Sequence, residues 1–317
     1  MNNITTDYIP STLPKVAVLL PTYNGSLFLK EQLESILNLS GITPHIFIND
    51  DGSSDQTIEI INKYRDRGVT LIEHKKCGGA AQNFFYLIIT VPLENFDYIC
   101  FSDQDDVWFE TKISRAIKVI NSNNFAAYSS DVTGLWPDGS TKYICKSQPQ
   151  RRIDYIFEAA GPGNTYVFPR KYALQLKSFL HLVTLEKLKN ISLHDWMIYS
   201  YFRSQNLPWV IDSVSGLNYR QHSNNVLGAA SGMKAVLKRT GLVFNGWYLR
   251  QIILQADILN LHATDLFAAR FLTYLETPRF RDLVFVLRNI RECRRKWSDA
   301  AGLSVVVILR YLKVIHL

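Results

Sequence analysis

Up to residue 101 the chain alternates two kinds of hydrophobic pattern. One is unbroken. "KVAVLLPTYNG" sets β-branched and aliphatic residues side by side and closes on Pro, Asn and Gly, the signature of a strand buried on both faces that runs into a loop. The other is periodic. "SLFLKEQLESILNLSG" places Leu29, Leu33, Ile36 and Leu37 on one helical face and ends at Gly41, read as a C-cap. The alternation then repeats: a strand over residues 45–49, an acidic Gly/Ser loop, and a helix from Asp55 that carries Ile58, Ile61 and Tyr64 and stops at Gly68. A strand on "VTLIEH", a helix on "CGGAAQNFFYLIIT" and a strand on "DYICFSD" follow. Strands separated by helices of this length predict a mostly parallel sheet with helices on both faces.

Past Trp108 the pattern loosens. It predicts a helix on "TKISRAIKVINSN", a strand on "FAAYSSDV", a turn at "WPDGSTK", and a Gly/Pro loop, strand and helix across "EAAGPGNTYVFPRKYALQLKSFL". "ISLHDWMIYSYFRSQ" reads as a helix that begins between Ser192 and Asp195, and from Met233 onward the chain reads as amphipathic helices. Two domains are expected, 1–232 and 233–317.

In a sheet of this kind ligands bind beyond the carboxyl ends of the strands. The polar segments "PTYNG", "NDDGSSD" and "SDQDD" all follow strands, so they should meet on one edge. Asp103 and Asp105, two residues apart after a buried strand, can turn toward one hard cation, and oxygen ligands suit Mg²⁺ or Mn²⁺. A solvated acidic loop, or an N-cap at Asp106, is the plainer reading of the triplet alone. Asp55 is explained as a helix cap. Asp50 and Asp51 are not, and one of them can accept a hydrogen bond from a base or ribose. No GxxxxGK[ST] occurs and no GxGxxG follows the first strand, so phosphates would need a metal held by the acidic pair.

Composition and charge narrow this further. A chain that is 47% hydrophobic and 20% charged is globular. Its net charge of +7 is concentrated at one end: from Lys234 onward there are fourteen Lys/Arg and six Asp/Glu. A basic end suits nucleic acid or an anionic membrane. Cys77, Cys100, Cys145 and Cys293 form no CxxC pair, which argues against a disulfide framework or zinc site. The opening stretch "MNNITTDYIPSTLPK" has no basic region leading into an apolar one, so no secretory leader is expected and the location expected is cytoplasmic.

Six separated segments, "VAVLLPTYNG", "INDDGSSDQT", "CGGAAQNFF", "YICFSDQDDVW", "HDW" and "YRQHSNNVLGA", stand in the order found in family-2 glycosyltransferases of the GT-A fold. Over residues 15–230 the chain resembles that family, and within it the rhamnosyltransferases that build bacterial cell-surface polysaccharides such as O-antigen. The resemblance implies a GT-A, Rossmann-like sheet with a helical C-terminal region. It also implies an inverting, metal-dependent transfer, with Mg²⁺ or Mn²⁺, of a deoxyhexose such as rhamnose from a dTDP- or UDP-sugar to a lipid-linked or growing glycan. Carried onto this chain, it puts Thr22, Tyr23, Asp50 or Asp51, and Asp103 at the nucleotide. Asp103 and Asp105 become the DxD, with Asp105 the direct metal ligand, and His222 is a further group for the metal or diphosphate. Asp195 takes the place of the general base, preceded by His194 where many relatives carry Glu. Asn164, Thr165 and Trp196 are placed with the acceptor. A loop histidine bonded to the backbone remains the alternative for His222, and a plain turn the alternative for "GPGNTYVF".

"RFRDLVFVLRNIRECRRKW" separates Leu283, Val286, Leu287 and Ile290 from Arg281, Arg288, Arg291 and Arg295 at helical spacing. Such a helix either docks on its own domain or lies on the cytoplasmic face of the inner membrane. "LSVVVILRYLKVIHL" is too short to span and is interrupted by Arg310 and Lys313. Three other readings are open. A processive synthase would carry QxxRW and spanning helices, and an aspartyl phosphatase would carry DxDxT, where this chain has Val107. A nucleotide-sugar or nucleic-acid binding module without catalysis would show binding with steep salt dependence. No nucleic-acid partner is expected on the leading reading.

Overall fold

The computed structural model describes residues 12–72, 76–222, 241–242 and 244–315. The expected domain boundary at 232/233, the end of the "VTLIEH" strand and all of "SNNVLGA" lie outside the described residues.

A seven-stranded sheet has the order β10-β6-β9-β4-β1-β2-β3. Its strands are β1 (Lys15–Thr22), β2 (Thr43–Asp50), β3 (Val69–Leu71), β4 (Tyr98–Phe101), β6 (Ala127–Ser130), β9 (Val167–Pro169) and β10 (Trp209–Asp212). β1 pairs in parallel with β2 and β4, and only β9 runs against its neighbours. The central strand β1 is buried from Val16 to Thr22, as its unbroken apolar run requires. β1 is where the chain order reverses, because β2 lies on one side of it and β4 on the other. The ends of β1 and β4 therefore open the crevice that binds ligands in such sheets.

A second sheet, order β5-β11-β7-β8, was not legible in the sequence. It joins β5 (Val107–Trp108), β7 (Val132–Leu135), β8 (Thr141–Ile144) and β11 (Leu217–Arg220), with "WPDGSTK" as the β7–β8 turn. β11 pairs antiparallel with β5, and this carries the stretch ending at His222 back to the acidic loop after β4.

Helices α1 (Leu29–Leu37), α2 (Thr57–Asn62), α3 (Ala80–Thr90), α4 (Lys112–Asn123), α5 (Arg170–Leu182), α6 (Leu185–Asn190) and α7 (His194–Ser204) cover the main sheet. α1 stops at Leu37, short of Gly41, which sits in the following turn with φ +75°. Among the described residues α8 (Trp247–Ile258), α9 (Leu261–Thr264), α10 (Leu266–Glu276), α11 (Phe280–Arg288) and α12 (Trp297–Tyr311) follow. Their buried residues, among them Leu249, Phe271, Val286, Leu303 and Val307, share one core with Phe84, Phe168, Trp196 and Phe202 of the sheet side.

The expected basic face of the C-terminal region is corrected here. Leu283, Val286 and Ile290 do face inward, and Arg281 and Arg288 are exposed. The helix, however, ends at Arg288, and Arg295 turns into the protein, 4% exposed. Its guanidinium stands 3.4 Å from Asp154 and 3.5 Å from Glu158 and donates to the Ala159 carbonyl. Arg310 is likewise inside, donating to the carbonyls of Leu275 and Glu276 at the end of α10. Among the described residues no helix is long and apolar enough to cross a membrane.

Removing one partner from a buried ion pair leaves the other charge uncompensated, at a cost of about 3–5 kcal/mol. Arg203 also holds Asp154, at 3.0 Å, which moves Arg295→Met toward the lower end of that range. Urea unfolding is expected to show a loss of about 3 kcal/mol, partly recovered by adding Asp154→Asn. A change under 1 kcal/mol would mean the pair does not fasten the C-terminal helices.

Candidate active site

The strand-end loops are tied to one another before any ligand is present. Asp50 is fully buried; its carboxylate accepts from the Thr22 hydroxyl (2.8 Å), the Gly52 and Ser53 amides (3.0 and 2.7 Å) and the Ser53 hydroxyl. These bonds shape the loop, and of the two aspartates offered for the nucleotide it is Asp51 that borders the cleft. Asp51 accepts from the Cys77 and Gly78 amides and borders the cleft. Asp55 accepts from the Thr57 amide at the entry to α2 and from the Ser26 amide across the gap, so its capping role extends to the loop after β1. Gln104, between Asp103 and Asp105, clamps the Tyr23 backbone from both sides, accepting its N–H at 2.9 Å and donating to its carbonyl at 3.0 Å. Sequence reasoning passed over Gln104 because nothing in its neighbours signals that contact.

The cleft so formed has a volume of about 2110 Å³ and is lined by Thr22, Tyr23, Asp51, Asp103, Asp105, Asp195 and His222. Tyr23 offers an exposed ring at its edge, whereas the Thr22 hydroxyl is committed to Asp50. Burial, then the charges of Asp105 and Asp195, push the Asp103 carboxyl up to about 8. His222 Nε2 lies 2.7 Å from Asp105 Oδ2, so the side chain that sequence left between ligand and loop filler stands beside the acidic pair. Asp106 is the structural member of the triplet. It is fully buried, accepts from the Arg220 amide at 3.0 Å and from Asn164 Nδ2, and so locks the acidic loop to β11 and to the 164 loop. That corrects its reading as a helix cap.

Asp195 occupies the first turn of α7, where its Oδ1 accepts the Trp196 amide at 2.7 Å. Burial pushes its carboxyl up to about 6, against the backbone hydrogen bond and the charge of Lys146. His194 is not a charged partner in this site. Its ring stacks on Phe84 with centroids 3.8 Å apart, and burial lowers its pKa to about 3. Gly163 is required next to it, since a Cβ there would sit 2.4 Å from His194 Nε2.

Of the residues placed with the acceptor, two are turned into the protein and one borders the cleft. Asn164 is fully buried against Asp106, and the hydroxyl of Thr165 is spent on the Pro162 carbonyl. Trp196, 3% exposed, donates its indole N–H to the Tyr155 carbonyl and stacks on Tyr248. Asn164 and Thr165 stand behind the wall of the cleft, whereas Trp196 is part of its lining.

A divalent cation is tested by its donors. Among the described residues no three His, Cys, Asp or Glu side chains form a metal cage. The Asp105 carboxylate and His222 imidazole, already in contact, supply a hard oxygen and a nitrogen on one side of an open cleft. This set fits Mg²⁺ or Mn²⁺ that takes its remaining ligands from a diphosphate and water.

A crevice at the reversal point of a mostly parallel sheet, with Asp103, Asp105 and Asp195 on its lining, is the arrangement of the GT-A architecture. Residues 17–180 match the glycosyl transferase family 2 pattern. Along 294 residues, 92% of this chain and 99% of the relative, the sequence is 39% identical to the dTDP-rhamnosyl transferase RfbG of Shigella flexneri. The chain belongs to glycosyl transferase family 2. Its fold is shared by S. aureus TarS 1–349 in complex with UDP-GlcNAc, at TM-score 0.52 and 15% identity over 95% of this chain and 89% of that one. It is shared as well by the mannosyltransferase PcManGT of Pyrobaculum calidifontis with GDP-Man and Mn²⁺, at TM-score 0.50 and 14% identity over 95% and 88%.

Proposed function

We propose that this glycosyltransferase moves a deoxyhexose, rhamnose from dTDP-rhamnose, onto a lipid-linked or growing cell-surface glycan, with inversion at the anomeric carbon and with a divalent metal. The observation that carries this reading is the Asp105–His222 contact facing the same cleft as Asp195. The 39% identity to a dTDP-rhamnosyl transferase over nearly the whole chain supports the choice of donor.

Tyr23 stacks on the base at the edge of the cleft, and Asp51 meets its polar edge beside the Cys77–Gly78 turn. Asp105 and His222, with Asp103 on the same lining, would hold the cation. When bound, that ion neutralises charge growing on the departing diphosphate. Asp195, on the other wall, removes the proton of the acceptor hydroxyl as its oxygen attacks the anomeric carbon. The C1–O bond to the diphosphate breaks as the new C1–O bond forms from the opposite face, so one displacement inverts the centre. The dry site at Asp195 raises its basicity toward the pH at which it works. Residues 1–232 serve as the catalytic domain and 233–317 as the helical C-terminal region. The exposed apolar side chains of α12, Trp297, Val305, Ile308 and Leu312, support peripheral contact with the cytoplasmic membrane face.

Release of dTDP from dTDP-rhamnose is the direct test. Ahead of it, dTDP at about a hundred times its Kd is expected to stabilise the protein by about 2.7 kcal/mol, raising Tm by about 4 °C, only when Mn²⁺ is present. Equal stabilisation in EDTA would count against a metal-held diphosphate. Stabilisation by oligonucleotides and not by dTDP would favour the binding-module reading.

A further inference from the structure

The cleft continues past Asp195. One wall carries Lys146, and the other carries Lys296 and then α12, with Gly302, Val305, Val306 and Leu309 bordering the same space. These four positions fall at i, i+3, i+4 and i+7, a single helical stripe about 10 Å long. It is open: Gly302 and Val305 are exposed, and a Cβ added at Gly302 would meet nothing within 4 Å.

Lys146 is a firmly mounted cation. Fully buried Asp131 accepts its backbone N–H, the Ser147 amide and hydroxyl (both 2.8 Å) and the Tyr143 hydroxyl. The lysine stem lies along Gly161, where a Cβ would stand 3.5 Å from Lys146 Cγ. Its acidic neighbours are engaged elsewhere. Glu158 is paired with Arg295 at 3.5 Å and Asp299 with Arg294 at 3.7 Å, while Lys146 and Lys296 are in no ion pair among the described residues. Burial, then repulsion from Arg295 and Lys296, lowers the Lys146 pKa in spite of the pull of Glu158 and Asp299. A desolvated ammonium held without a carboxylate is unfavourable until an anion reaches it.

We propose that this arm of the cleft is the acceptor subsite and takes a lipid phosphate: the phosphate sits between Lys146 and Lys296, and the apolar chain runs along the α12 stripe. The sugar carried by that phosphate then lies toward Asp195. The step at the sugar rests on the glycosyl-transfer reading above, but binding of the lipid phosphate does not.

Farnesyl diphosphate, farnesol and inorganic diphosphate titrated calorimetrically into the full chain test the subsite. EDTA is included so that no metal grips a diphosphate in the donor half. Farnesyl diphosphate is expected to bind at least tenfold more tightly than either of the other two. Lys146→Met is expected to weaken it at least tenfold and to leave farnesol unchanged. Gly302→Phe, on an exposed helix face with room for the ring, is expected to weaken it at least tenfold and to leave inorganic diphosphate unchanged. Wild-type affinity in Gly302→Phe, equal losses for farnesol and farnesyl diphosphate in Lys146→Met, or no advantage of farnesyl diphosphate over inorganic diphosphate overturns the subsite. No donor enters the titration, so any of these leaves the transfer reading standing, and a protein that binds farnesyl diphosphate as described but releases no dTDP sinks that reading alone.

Discussion

Asp195→Asn is expected to lower the rate of sugar transfer about a thousandfold with no loss of fold. General-base catalysis by one placed group contributes about 10²–10⁴-fold. Asparagine keeps an oxygen to accept the Trp196 amide, now met at 2.7 Å, so the first turn of α7 stays capped. What disappears is the lone pair that takes the acceptor proton. The same assignment sets the pH dependence. The carboxyl is pushed up to about 6 by burial, and the reactive form is the ionised one, so the rate should fall as pH drops through about 6 and level off above it. Lys146, whose charge favours the ionised form, shifts that limb downward. Steady-state rates from pH 5 to 8 check both statements. An Asn variant within tenfold of wild type, or a limb that persists in it, would remove Asp195 from the reaction.

Asp105→Asn is expected to cost about as much, for a different reason. The substitution leaves a neutral amide facing His222, where the carboxylate now lies 2.7 Å from Nε2, and removes the charge proposed to recruit a cation. Several kcal/mol of transition-state stabilisation go with it, and about 4 kcal/mol corresponds to roughly a thousandfold. Excess Mn²⁺ should restore little, and the metal-dependent rise in Tm with dTDP should vanish. Asp106→Asn makes an informative contrast, because Asp106 bonds to Arg220 and Asn164 within the protein, and its loss should lower stability along with activity. Undiminished turnover of the Asp105 variant in EDTA would refute the metal assignment.

The parallel sheet was legible because its strands advertise themselves. A strand buried on both faces has to be apolar along its buried length, and "VAVLLP" and "YICF" are. The convergence of "PTYNG", "NDDGSSD" and "SDQDD" followed from strand direction alone, and the structure brings Tyr23, Asp51, Asp103 and Asp105 to one cleft. The second sheet was hidden by the shortness of its strands: β5 has two residues, and two-residue alternation carries no signal. Asp50 and Asp51 are neighbours of identical type, and only the pleat, which sends one inward and the next outward, tells the loop-holder from the cleft-liner. Arg295 misled for a related reason. Its helical spacing from Arg288 holds only if the helix is continuous, and the chain turns at residues 290–292 instead.

Sequence by itself determined the element order, the edge on which polar loops gather and the residue types able to hold a cation, because these follow from local hydrophobic periodicity and from side-chain chemistry. Tertiary structure alone decided which carboxylates are free and which are consumed by neighbours, that His222 reaches Asp105 across 117 positions of chain, and that Lys146 faces the cleft beyond Asp195. Those outcomes depend on hydrogen-bond partners and desolvation supplied by segments remote in the chain, and no local pattern encodes them.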